Sequence, residues 1–171
     1  MVDVRDRVAE DRGLLKKIQL LLPGFSGYRQ REDLRAADSI LRIQLADRLK
    51  ENRGKLEATR ARLAEAYEMK ALEPLGRLIL SAQELEGMVR HAEQGYSGFS
   101  PAIRVEQSEL EMLYEYDLAL LEGLKRLEEK ASSLGTDGSA LAATQECTAI
   151  LEEFRATFKK RLVQITGTEV K

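Results

Sequence analysis

Two short stretches gather residues that could hold a ligand. Gly24-Phe25-Ser26-Gly27-Tyr28 and Gly95-Tyr96-Ser97-Gly98-Phe99 repeat one pattern (glycine, aromatic, serine, glycine, aromatic) 71 residues apart. Glycines let successive backbone N–H groups converge where a helix begins, and Arg29 and Arg31 stand just after Tyr28. A phosphate or a carboxylate is the ligand such an arrangement would take. The four aromatics Phe25, Tyr28, Tyr96 and Phe99 would alternatively make a docking surface for a partner, visible as an exposed apolar patch. The plainer use of the same residues is architectural. Glycine permits the positive φ of a tight reversal, and the rings plug the end of a helical bundle.

The other reactive residue types point away from catalysis. His91 is the single histidine, and the Glu-x-x-His pair of a carboxylate-bridged di-metal bundle would need a glutamate where Met88 stands. Glu106, Glu109, Glu111 and Glu115 face several directions around one helix, so no metal or other cofactor is expected. Cys147 falls on an apolar stripe, where a free cysteine packs as a small hydrophobe. No glycine-rich nucleotide loop, Walker lysine or nucleophile elbow is present, and the expectation is a protein that is not an enzyme. Asp117 differs in kind: it is the one charged member of an otherwise apolar heptad seam. A carboxylate there must be paired or face a groove: the expected partners are Arg35, Arg42 or the Tyr28 hydroxyl, a pairing that would fix helix register, and the alternative is a slight rotation of the helix that gives the core to Leu121 and leaves Asp117 at a solvated edge.

Composition sets the frame that has to position these residues. Of 171 residues, 43% are hydrophobic, 33% charged and 5% aromatic, with three prolines and no tryptophan; this is the profile of long helices rather than of a sandwich. One cysteine allows no internal disulfide, and the charged stretch from Met1 to Leu22 has no apolar signal core, which together predict a cytoplasmic protein. No apolar run approaches the ~20 residues that span a bilayer. Residues 29–72 carry 11 basic and 8 acidic side chains and residues 73–134 carry 6 and 12, a complementary pair of faces within one bundle. No basic stripe with interleaved aromatics marks a nucleic-acid surface.

Apolar spacing predicts a single all-α domain, an elongated bundle of about five helices over 2–22, 29–72, 74–93, 101–134 and 139–165. Pro23-Gly24 ends the first, Pro74 suits the first turn of the third, and Gly135-Thr136-Asp137-Gly138 separates the last two. The second is the longest and is read as continuous through the polar stretch Lys50 to Lys55, despite Gly54. Its length leaves part of the stripe from Leu56 to Tyr67 for another element or a second copy, so a homodimer or a protein partner is expected. The displaced glycine-aromatic pattern suggests a duplicated helical hairpin.

At Pro23 to Tyr28, Arg31 to Arg35, Gly95 to Phe99 and Leu113 to Leu118 the chain resembles bacterial all-helical proteins of uncharacterised function whose Pro-Gly-Tyr-type loop opens a long charged helix. The resemblance implies a helical fold and brings no activity or site residues with it. The function predicted from sequence is a non-catalytic helical scaffold or protein-interaction module; the alternative is a bundle that binds a small ligand or anion at its glycine-aromatic loops.

Overall fold

The protein is described here by a computed structural model of residues 4–27, 31–92 and 107–166, with side chains described over 13–27, 36–92 and 110–165. Among the described residues all regular structure is helical: α1 (Val4–Leu21), α2 (Arg31–Glu65), α3 (Met69–His91), α4 (Gln107–Ser133) and α5 (Ala140–Thr166). No helix among them is long and apolar enough to cross a membrane.

Helices α2 to α5 each bury one seam whose members alternate spacings of three and four. On α3 it runs Ala71, Leu75, Leu78, Ala82, Leu85, Val89, and on α4 it runs Leu113, Asp117, Leu120, Leu124, Leu127, Ala131 and on to Leu134 just past the helix. On α2 it is Asp38, Arg42, Leu45, Leu49, Asn52, Leu56, Thr59, Leu63, and on α5 it is Ala140, Thr144, Cys147, Leu151, Phe154, Phe158, Arg161, Ile165. Such a seam faces one direction along a gently supercoiled helix, which lets all four meet around a common core. Each leucine taken wholly out of water contributes about 1.5–3 kcal/mol, and this repeated burial is the main force holding the bundle.

The cross-helix ion pairs give the topology. From Asp47–Arg90 to Arg53–Glu86, partners climb α2 while they descend α3, and Arg126–Glu153 followed by Lys130–Glu146 shows the same antiparallel order in α4 and α5. The two hairpins stand side by side, with α2 against α4 and α3 against α5. Lys55 reaches Glu128 across the first contact, and Arg155 reaches the Ser81 hydroxyl across the second. Helix α1 packs on α4, and its end is held by α2: Arg48 donates to the Leu21 carbonyl and Gln44 to the Pro23 carbonyl at 3.2 Å. The Leu21 carbonyl is one that the helix end leaves without an internal partner.

Helix α2 continues through Gly54, as expected, because Asn52 occupies a seam position and closes the lapse in the apolar stripe. It does not run to residue 72. The chain leaves it at Glu65 by a Schellman turn, in which the Glu68 N–H donates to the Leu63 carbonyl at 3.0 Å and the Tyr67 N–H to the Ala64 carbonyl at 3.2 Å. Helix α3 therefore starts at Met69, and Pro74 lies inside it rather than at its first position. The physical reason is the α3 seam: Ala71 and Leu75 already face the core, so the reversal has to be complete before them. Proline at 74 then forfeits the backbone bond to the Lys70 carbonyl, in the second turn of the helix.

That turn also revises the expected open stripe. Leu56, Thr59 and Leu63 are wholly covered within the chain, so they leave no seam for a second copy to close. Tyr67, expected on the inner face, is outside.

Candidate functional site

The first glycine-aromatic loop, described from Gly24 to Gly27, is built into the core at Phe25 and Gly27. Gly24 and Gly27 both have φ of +85°, the left-handed region that glycine enters without a steric cost. The chain folds back along α1, with Gln19 Nε2 donating to the Phe25 carbonyl at 3.0 Å, and Phe25 is 2% exposed in the same cluster as Ile18 and Leu22. A Cβ at position 27 would lie 2.9 Å from the Tyr114 Oη and 3.0 Å from a Leu15 methyl, so α1, the loop and α4 close on one another at a point that only glycine fits. Tyr28, Arg29, Tyr96 and Phe99 lie outside the described residues, and so does the side chain of Arg31, although its backbone opens α2. Of the expected loop ligands Phe25 is thus the one whose place is given, and it is inside.

Near the same end of the bundle lies a layer of buried charge. Asp117 and Arg161 are both 0% exposed, and the Arg161 Nε donates to Asp117 Oδ1 at 2.5 Å. Arg161 Nη1 donates to Asp38 Oδ1 at 2.6 Å, and Arg42 Nε donates to Asp38 Oδ2 at 2.7 Å. Arg42 Nη1 goes on to the Arg90 carbonyl at 3.2 Å, in the last turn of α3, where a helix leaves its carbonyls free and partially negative. Among the described residues two carboxylates and two guanidiniums thus form a layer that touches α2, α3, α4 and α5. Removing one member of such a layer leaves an uncompensated buried charge, at a cost of about 3–5 kcal/mol.

The seam position of Asp117 was legible in the sequence, and Arg161, which the sequence did not suggest, is one of its partners; of the expected partners, Tyr28 and the side chain of Arg35 lie outside the described residues. Arg42 is one ion further along. What the sequence reading missed is that Asp38, Arg42 and Arg161 are themselves seam residues: Phe158, Arg161 and Ile165 follow the same three-four spacing, as do Asp38, Arg42 and Leu45. Extending the spacing through charged residues, instead of stopping at them, would have found all three.

No family model, curated protein or solved structure matches the chain. Its function has to be read from its own geometry.

The remaining reactive groups carry little. Burial pushes the Cys147 thiol up to about 11, with the neighbouring Glu146 adding to the shift, so at neutral pH it is a protonated, wholly buried side chain. Among the described residues no three side chains of the histidine, cysteine, aspartate and glutamate types come together as a metal would need.

The most exposed aromatic side chain among the described residues is at the opposite end. Tyr67 is 85% exposed and Met69 67%, with both at the α2–α3 turn. Tyr67 also has φ of +58°, the one non-glycine residue described with a positive φ. It fills the position of a Schellman turn at which glycine is the usual occupant, because a Cβ there meets the following carbonyl at a cost of about 1–2 kcal/mol. From the level of Lys55 and Glu128, α2 continues to Glu65 and α4 only to Ser133.

Proposed function

We propose that the protein is a non-catalytic helical scaffold that acts by binding another protein, and that the α2–α3 turn inserts Tyr67 and Met69 into an apolar socket on that partner. The observation that carries this reading is Tyr67. A tyrosine held in a left-handed conformation with its ring in water lowers stability and covers almost no core surface, whereas glycine would close the same turn without strain. An exposed aromatic beside a methionine is the kind of anchor that dominates protein interfaces. Acidic Glu65 and Glu68 and basic Arg62 and Lys70 flank it in the sequence, a mixture of charges that suits a protein surface better than a nucleic acid. The compartment proposed is the cytoplasm, where a lone thiol remains reduced.

The test is affinity capture from a native lysate with the wild-type chain and with Tyr67→Ser/Met69→Ser. A protein retained by the first and lost from the second supports the reading, and a partner retained equally by both overturns it. Light scattering on the same two proteins identifies a second copy as the occupant if the wild type alone is a dimer. Capture of no protein, together with a small ligand released when the chain is denatured, would favour the anion-binding alternative.

A further inference from the structure

We infer that the α2–α3 hairpin carries a hinge at the level of Asn52, Gly54 and Gly87, about which the part from Lys55 round to Glu86 tilts against the part that α1 holds. The first observation is Asn52. It is 3% exposed on the α2 seam, between Leu49 and Leu56, and its Oδ1 meets no hydrogen-bond partner. A buried amide left so disfavours the closed helix, and opening to water relieves it. The Nε of the next residue, Arg53, is buried without a partner too, although both of its Nη atoms are bonded.

The second observation is independent of the first. Gly54 and Gly87 lie inside α2 and α3, neither has the positive φ that favours glycine, and a Cβ at either would meet nothing within 4 Å. Packing and backbone shape would both accept alanine. The other glycines inside α2 to α5, Gly76 and Gly123, each have a neighbouring side chain within 4 Å of that point. Relative to alanine, a glycine in a helix interior shifts the balance towards the open form by about fivefold. Arg53 and Glu86, which precede the two glycines, pair with each other at 3.4 Å, so both soft positions fall within about one turn of Asn52 at a single level of the hairpin.

The hairpin is fastened on either side of that level. Towards α1, Arg48 holds the Leu21 carbonyl, Asp47 pairs with Arg90, and Arg42 reaches the Arg90 carbonyl. Beyond it, Leu56, Leu63, Leu75 and Leu78 are covered. What crosses the level is weaker, since Arg53 reaches Glu57 and Glu86 through partly exposed pairs, and such pairs contribute little. Bending therefore concentrates where both helices lack a Cβ and the core holds an unpaired amide. The hinge is independent of what the α2–α3 turn binds.

Amide hydrogen exchange on the full chain, followed residue by residue by NMR, tests the hinge. In the native chain the amides of residues 52–58 should exchange about tenfold or more faster than those of 43–49 and 59–63 on either side. Gly54→Ala should slow them about fivefold relative to those flanks. Gly87→Ala, made in the other helix, should slow the same α2 amides, because a hairpin bends only where both of its helices do. Asn52→Leu should slow them further by removing the unpaired amide. Both alanines fit without a clash, so they decide the matter if Asn52→Leu does not fold. Protection that runs level from 43 to 63 in the native chain overturns the hinge, and so does a Gly87→Ala variant whose α2 amides keep their native rates.

Discussion

The turns at the two ends of α2 handle a left-handed backbone position in opposite ways. Before α2, Gly24 and Gly27 take the positive φ angles, and the aromatic between them, Phe25, is packed away. After α2, a tyrosine takes the positive φ, and its ring stands in water. Among the described residues of the first turn these choices agree with the fold: glycine at both positive φ angles, at Gly27 also where a Cβ would collide, and an aromatic where there is core to fill. The second turn goes against local preference with no compensating internal contact, and such conflict is where function is to be sought.

The comparison is most severely tested at Phe25. If the first loop is structural, Phe25→Ala should lower the unfolding free energy by about 3–5 kcal/mol, measured by urea denaturation, because a buried ring is removed from a packed site. A loss below about 1 kcal/mol would show that the loop is not part of the core. Next comes Gly27→Ala, expected to cost about 1–3 kcal/mol, since the new Cβ sits at a positive φ and presses on the Tyr114 hydroxyl.

At the second turn the sign should reverse. Tyr67→Gly relieves the left-handed strain and should raise stability by about 1 kcal/mol, or about 2–4 °C in Tm for a chain of this size, read by calorimetry. A decrease would mean that the ring makes a contact worth more than the strain. Tyr67→Ala separates the two effects: it retains the strained Cβ and removes the ring, so partner capture should be lost while stability stays close to that of the native chain. The smallest effect belongs to Met69→Ser, expected to change stability by no more than about 0.5 kcal/mol because that side chain is largely exposed. A larger loss would place Met69 in the core and weaken its reading as an anchor.

Much of the fold was legible in the sequence, because helical periodicity is a local property. The stripes of α3, α4 and α5 lay where their leucines placed them, and α2 runs unbroken through Gly54. Breaker residues were a poorer guide. Pro74 suggested the start of α3, but the signal that matters, the reversal at Ala66-Tyr67-Glu68, contains neither glycine nor proline. It became visible only through the backbone bonds of the Schellman turn.

By itself, then, the sequence determined which residues lie on the buried face of each helix, Asp117 included, since a three-four spacing fixes the face whatever the neighbours are. What it could not determine is which faces meet. Arg161 is 44 residues from Asp117 and 123 from Asp38, and no spacing rule connects positions so far apart. Their meeting depends on the handedness and register with which two hairpins pack, and these are set by core filling and buried charge across the whole bundle. The same holds for Tyr67: its sequence neighbours place it on a stripe, and only the closing of the turn puts its ring in water.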